Sequence, residues 1–371
     1  MNEALRQLNR RTARAGLPLN GTLELTPLCN LRCKMCYIHR PEALPPKPAL
    51  RPLSFWLELA EALRQAGTLV LVVTGGETFL YPQAEPLLER LRAMGFVISL
   101  NTNGTLLDRR RLDWLGELRP AKINLSLYGA SNETYARLCG CEDGFDRLRA
   151  AADGLLERGL NLCLNGTLTR ENRGDIPAMA AFASARGLVL NSTAYLFPPG
   201  RYGLHACPSR LSPAEAAEAT LELERLQLGE AAFLAKCAAQ AARLRSGGRG
   251  GFQGTGECGR SNCLGGRNSF AVSWEGRLMP CVSNGGLQIP LEPSGFREAW
   301  ARLRAAVETL PLPADCEGCP WAAVCNACPA TLYNETGAFD RLAAYPCAYV
   351  RAAAEARLAR LRGRKEEDNG I

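Results

Sequence analysis

The sequence predicts an α/β protein: a parallel sheet flanked by helices, followed by a cysteine-rich C-terminal region. Two observations predict it. Between residues 22 and 194, β-rich runs alternate with amphipathic stretches, the pattern of βα units around a parallel sheet. Further on, eight cysteines crowd into positions 258 to 347, a density that packing alone does not require. A chain of 371 residues, 47% hydrophobic and 22% charged, is ample for one large core plus an appended second domain.

The elements follow in order. Strands are expected at Thr22 to Thr26, Thr68 to Thr74, Phe96 to Asn101, Lys122 to Leu127, Asn161 to Leu168 and Leu188 to Ala194. Between them, FWLELAEALRQAG, EPLLERLRAMG and FDRLRAAADGLLERG carry apolar residues at three- and four-residue spacing and stop at Gly, as surface helices do. Periodicity leaves a doubly wound sheet and an open barrel both standing, and either places its chemistry at the C-terminal ends of the strands. FPPGRYG then breaks the pattern, two Ala/Leu/Glu-rich helices follow at about Pro213 to Leu226 and Glu230 to Arg245, and SGGRGGFQGTG (246 to 256) reads as a flexible connection. SFAVSWEGRLMPC reads as a hairpin turning at Glu275-Gly276, a helix is expected around Phe296 to Val307, and the last twenty residues form a terminal helix with a frayed charged tail. The units are thus 15–210, 211–256, 257–350 and 351–371.

No run of eighteen or more uncharged apolar residues occurs, and the Arg-rich start MNEALRQLNRRTARAG lacks the apolar core of a secretory signal. A soluble cytoplasmic protein with no membrane partner is expected. In that reducing compartment the sixteen cysteines serve as metal ligands, catalytic groups or small buried hydrophobes rather than disulfides. The only histidines, His39 and His205, leave little room for His-based metal or acid-base chemistry. The net charge of +7 is not gathered into basic runs interleaved with aromatics, so no nucleic-acid partner is expected.

Directly after the first strand, LTPLCNLRCKMCY sets Cys29, Cys33 and Cys36 on one short loop. Three such thiolates can hold three irons of a 4Fe-4S cube, and no fourth cysteine follows at ferredoxin spacing. One iron is left open, as a cluster needs if it is to bind a substrate and pass it an electron. Zinc would want a fourth ligand that is not nearby. The loop resembles the CX3CX2C signature of the radical S-adenosylmethionine (SAM) superfamily. The resemblance implies a partial (β/α)6 TIM-like barrel whose open iron chelates SAM and, once reduced, cleaves it to methionine and a 5′-deoxyadenosyl radical. Met35 stands where the family usually has an aromatic residue beside the adenine, and an apolar Met fills the same space.

The rest of the barrel resembles the family at Gly75, Gly76 and Glu77 in VVTGGETF, where glycines permit close approach of a ligand and the carboxylate is expected to accept from the SAM ammonium. NTNGTLL aims Asn103 into the site, and Ser126 in SLYG, which has Tyr where the family has Asp, is a candidate contact to the SAM carboxylate or ribose. Arg137 and Arg147 are candidate partners of that carboxylate, and Asn165 in LCLNGTLT is expected near the adenine.

The second cysteine group resembles a SPASM domain: Cys258, Cys263, GX4C from Gly276 to Cys281, CX2CX5C through Cys316, Cys319 and Cys325, then Cys328 and Cys347. By that resemblance Cys258, Cys263, Cys281 and Cys328 hold one auxiliary 4Fe-4S cluster, and Cys316, Cys319, Cys325 and Cys347 another, three clusters in all. The gap from Cys325 to Cys328 is two residues where three are usual. A four-cysteine zinc knuckle at 316 to 328 would leave four cysteines unexplained. Eleven thiolates and three cores of about +2 each would bring the holo-protein to roughly +2. Cys139, Cys141, Cys163, Cys207 and Cys237 repeat no ligand spacing and are expected to be structural.

The resemblance implies a maturase of a peptide or protein side chain, served by a flavodoxin or ferredoxin-type electron donor. Sulfatase maturases of this family carry an Asp after the GX4C cysteine, and this chain has Val282, which favours cross-linking, epimerisation or oxidation instead. A small-molecule dehydrogenase or a haem-type side-chain oxidase is the alternative. Too few residues precede Cys29 for a leader-binding domain there, so substrate recognition is expected at the barrel mouth, at FPPGRYG with Arg201 and Tyr202, at the linker or on a separate protein.

Overall fold

The computed structural model describes residues 3–38, 48–196, 198, 207–247, 263–325 and 328–369. His39, His205, Arg201, Tyr202, Cys258 and most of 246–256 lie outside them. After the N-terminal helix α1 (Glu3–Ala15) come β1 (Asn20–Glu24), α2 (Leu53–Gln65), β2 (Val70–Thr74), α3 (Ala84–Ala93), β3 (Val97–Thr102), α4 (Arg109–Leu118) and β4 (Lys122–Ser126). Two helices, α5 (Asn132–Cys139) and α6 (Gly144–Glu157), lead to β5 (Leu162–Thr167), and α7 (Ile176–Ser184) to β6 (Leu190–Thr193). All six expected strands are present. They lie in the order β6-β5-β4-β3-β2-β1, each parallel to its neighbour. A doubly wound sheet would reverse that order at a switch point. Strict sequence order is the arrangement of an open barrel.

Burial alternates along the strands. In β3 to β5, Ile98, Leu100, Ile123, Leu125, Leu162 and Leu164 are buried toward the helices, while Asn101, Asn124, Ser126 and Asn165 occupy the alternate, half-buried face. Helix starts follow local chemistry: the Asp108 side chain accepts from Arg111 N–H at 2.8 Å, and Ser212 with Glu215 makes a capping box at the start of α8 (Pro213–Leu228), each supplying acceptors for otherwise unpaired N–H groups. The free edge of β6 is blunted by Gln227, which accepts from Leu190 N–H at 2.8 Å and donates to Leu190 O at 3.2 Å.

α9 (Glu230–Ser246) completes the helical connection. The cysteine-rich region opens with β7 (Ser269–Val272), β8 (Arg277–Met279) and β9 (Ile289–Pro290), then α10 (Phe296–Glu308), α11 (Pro329–Thr336) and α12 (Ala344–Asn369). The hairpin turns at Glu275-Gly276 as expected, but it is not a separate layer. β7 pairs parallel to β1, Asn20 to Ser269 through Leu23 to Val272, so one nine-stranded sheet runs from β6 to β9. Phe270, Phe296 and Trp300 belong to the same continuous core as the barrel, with ring centroids 5.2 and 5.9 Å apart. A contact between residues some 250 positions apart leaves no mark on local periodicity. α12 begins at Ala344 and stays helical through Asn369, so the charged end is helix rather than a frayed tail. No helix of the described residues is long and apolar enough to cross a membrane.

Candidate active site

The loop after β1 is pinned on two sides. Toward β2, Gly76 N–H donates to Thr26 O at 2.7 Å and Glu77 N–H to Leu28 O at 2.8 Å; toward α5, Arg32 N–H donates to Cys139 O at 2.8 Å and Lys34 N–H to Leu138 O at 3.0 Å. A Cβ on Gly75 would lie 2.8 Å from Thr26 O, and one on Gly76 only 2.3 Å from Leu28 O. The two glycines therefore let the base of the cysteine loop lie flat on the end of β2.

The loop faces a cavity of about 290 Å³ at the C-terminal ends of β2 to β5, lined by Cys29, Cys33 and Cys36. Six of the seven residues expected to bind a cofactor line it too: Met35, Gly75, Gly76, Asn103, Ser126 and Asn165. Glu77 does not. A short turn, Thr78–Leu80, tucks its carboxylate behind the wall, where Oε1 accepts from Phe79 N–H at 3.2 Å and Thr102 Oγ1 at 2.8 Å, and Oε2 from Asn103 N–H at 2.8 Å. Burial pushes this carboxyl above its ordinary range against those three donors and the Arg111 charge. Arg137 and Arg147 are engaged outside the cavity, Arg137 with Glu133 and Glu171 O and Arg147 with Asp143.

Sequence reasoning missed Asn101, Asn124, Tyr128 and Thr167, which also line the cavity. Asn124 Nδ2 donates to Asn101 Oδ1 at 2.7 Å across the paired strands. The available signal was an Asn at the alternate position of consecutive strands, a polar residue where a parallel strand buried on both faces carries Val or Ile. Tyr128 is mounted rigidly: its N–H donates to Tyr135 Oη at 3.2 Å and its carbonyl accepts from Asn172 Nδ2 at 2.9 Å.

Burial raises the Cys29 thiol to about 12 although Leu31 N–H, 3.4 Å from its sulfur, opposes the shift. Cys33 is raised first by the neighbouring Cys139 thiol and then by burial. Such thiols ionise when a cationic core compensates their charge. Three soft donors on a fixed loop facing a ligand-sized cavity of mixed apolar and polar lining fit an iron-sulfur cluster with one uncapped iron and a small molecule beside it.

In the C-terminal region the thiols gather in two groups. Cys263, Cys281 and Cys328 line one small apolar-walled cavity with Pro280 and Leu310, and burial raises Cys281 to about 12. Cys325 is raised to about 11 by burial and then by Cys347, Cys316 and Cys319, and Cys347 is raised in the same way by burial, Cys316 and Cys319. Among the described residues no three Cys, His, Asp or Glu side chains converge on the point that a single ion would occupy.

Residues 23–183, from within β1 into α7 and short of β6, match the family described as the Radical SAM superfamily. The chain carries a radical SAM domain. It is therefore an enzyme, as its relatives are. The AdoMet-dependent heme synthase of Methanosarcina barkeri is 26% identical over 325 residues, covering 85% of this chain and 92% of that protein. The PqqA peptide cyclase of Xanthomonas campestris pv. campestris is 30% identical over 166 residues, 45% of this chain and 44% of the cyclase, so the match spans less than half of that relative. In fold, native anSMEcpe with bound AdoMet superposes with a TM-score of 0.70 at 17% identity, over 93% of this chain and 98% of that one. The likeness thus runs through the radical SAM barrel and the cysteine-rich region alike.

Proposed function

We propose that this chain is a radical SAM enzyme that modifies a peptide or protein side chain. The observation that carries the reading is the meeting of Cys29, Cys33 and Cys36 with six expected cofactor residues around one cavity. Cys29, Cys33 and Cys36 would hold the 4Fe-4S cluster, which when loaded and reduced supplies the electron that cleaves SAM to a 5′-deoxyadenosyl radical. Met35, Ser126 and Asn165 hold and orient SAM in the cavity, and Gly75 and Gly76 keep the loop in register. Cys258, Cys263, Cys281 and Cys328, and separately Cys316, Cys319, Cys325 and Cys347, would hold two auxiliary clusters. A flavodoxin or ferredoxin-type donor would supply the electron in a reducing cytoplasm, where exposed thiolates persist.

The peptide class is supported by the PqqA peptide cyclase among the relatives. The second reading, a haem-type side-chain oxidase, draws on the sequence match to a heme synthase over 92% of its length. Anaerobic reconstitution should yield about twelve irons per chain and 5′-deoxyadenosine on reduction with SAM. Mass spectrometry of a short peptide encoded beside the gene and co-expressed with it decides the substrate. A peptide of altered mass supports the first reading, whereas an unmodified peptide together with an oxidised tetrapyrrole side chain supports the second.

A further inference from the structure

Asn103 was expected to touch SAM, but its side-chain amide is committed elsewhere. Its Oδ1 accepts from Thr105 N–H at 2.9 Å and from Thr105 Oγ1 at 2.6 Å, which uses both lone pairs and settles which way the amide points. Its Nδ2 is thereby aimed at Asn30 Oδ1, 3.0 Å away, and at Cys29 Sγ, 3.8 Å away. Asn30 in turn donates to Thr105 Oγ1 at 2.7 Å, closing a ring of three side chains at the foot of the cysteine loop. The residue is buried, and its own N–H is held by Glu77 Oε2 at 2.8 Å. Leu31 N–H is a second donor to the same sulfur at 3.4 Å.

We infer that Asn103 is a positioning and tuning residue for Cys29: its amide donates to the sulfur and raises the reduction potential of the cluster held there. This rests on the reading that Cys29, Cys33 and Cys36 bind that cluster. Reduction adds one electron to a core surrounded by thiolates, and a donor on a ligating sulfur stabilises the more negative state. The Thr105 lock matters because an amide free to rotate would offer its oxygen to the sulfur for part of the time. The Glu77 carboxylate, which does not line the cavity, fixes the main chain from which this donor projects.

The test uses the full chain, reconstituted anaerobically and titrated electrochemically while electron paramagnetic resonance follows the signal that SAM addition perturbs. Asn103→Asp keeps the acceptor for Thr105 and replaces the donor with oxygen; Asn103→Leu removes both. Each is expected to retain iron and to move the midpoint of that signal to lower potential, with the larger shift for Asp. An unchanged midpoint with iron retained overturns the inference. Should both variants lose iron, Thr105→Val decides, because it removes the hydroxyl half of the lock, leaving only the Thr105 N–H bond to hold the amide, and keeps Asn103 in place: a smaller downward shift supports the inference, and none overturns it. A wild-type chain with no SAM-responsive signal overturns the proposed function itself, and this inference with it.

Discussion

Gly76 packs on Leu28 with no room for a side chain, since a Cβ there would sit 2.3 Å from the Leu28 carbonyl oxygen and 2.6 Å from that of Pro27. Both obstacles are backbone, one and two residues before Cys29, and cannot rotate away. Gly76→Ala is therefore expected to lift the cysteine loop off the end of β2, costing about 1 to 3 kcal/mol and roughly a third of the iron that three clusters would bind. Gly75→Ala, 2.8 Å from Thr26 O, should be milder. Iron analysis and thermal melting check this; full iron and wild-type stability in Gly76→Ala would contradict it.

The thiols of the barrel loop and those of the C-terminal region make separable predictions. Replacing Cys29, Cys33 and Cys36 together with Ala should remove about a third of the iron and all SAM cleavage, because among the described cysteines these three line the cavity proposed for SAM. Cys316→Ala should leave SAM cleavage measurable and abolish product formation. Normal turnover in that variant would assign the second auxiliary site to folding rather than to redox chemistry.

Glu77 gives a pH signature. Burial holds its carboxyl above the ordinary range, so the folded chain keeps the proton longer than the unfolded one. Stability from such a group is present below the unfolded value of about 4.3 and is lost as pH rises through the higher folded value. In denaturant titrations of the apo-protein, wild type should therefore lose stability relative to Glu77→Gln as pH rises from about 4 toward neutrality. A difference that stays constant over that range would show that the carboxyl ionises as it does in water.

How much of this was legible depends on the range of the interaction. The six strands and the helices between them announce themselves by period, because each buries a face within its own few residues. The pairing of β7 with β1 does not, since Ser269 and Asn20 meet only after the whole barrel has formed. Cys29, Cys33 and Cys36 were legible from spacing, whereas the direction of Glu77 was set by the turn at Thr78–Leu80 that carries it behind the wall. Asn101 and Asn124 were passed over because each falls inside a run that reads as ordinary strand.

Beside the β1–β7 pairing, Arg210 ties the helical connection to the cysteine-rich region, and its removal should be costly. Arg210 Nη2 meets Glu335 at 2.5 Å with both side chains mostly buried, its guanidinium lies 3.1 Å from the centroid of the Tyr345 ring, and the Tyr345 hydroxyl donates to Leu211 O at 2.9 Å. One guanidinium thus ties the approach to α8 to both α11 and α12. Arg210→Ala strands a carboxylate that remains desolvated, at a cost of about 3 to 5 kcal/mol. Removing both charges while keeping the volume, as in Arg210→Met with Glu335→Leu, leaves no orphan and should recover most of that loss. Cys328 lies at the foot of α11 and Cys347 in the first turn of α12, so the single variant should also loosen the auxiliary thiol groups while the Cys29 loop keeps its iron. Denaturant unfolding of the two variants checks the energies, and iron content checks the location. Equal destabilisation of the single and double variants would mean that the stacking on Tyr345, rather than the ion pair, carries the joint.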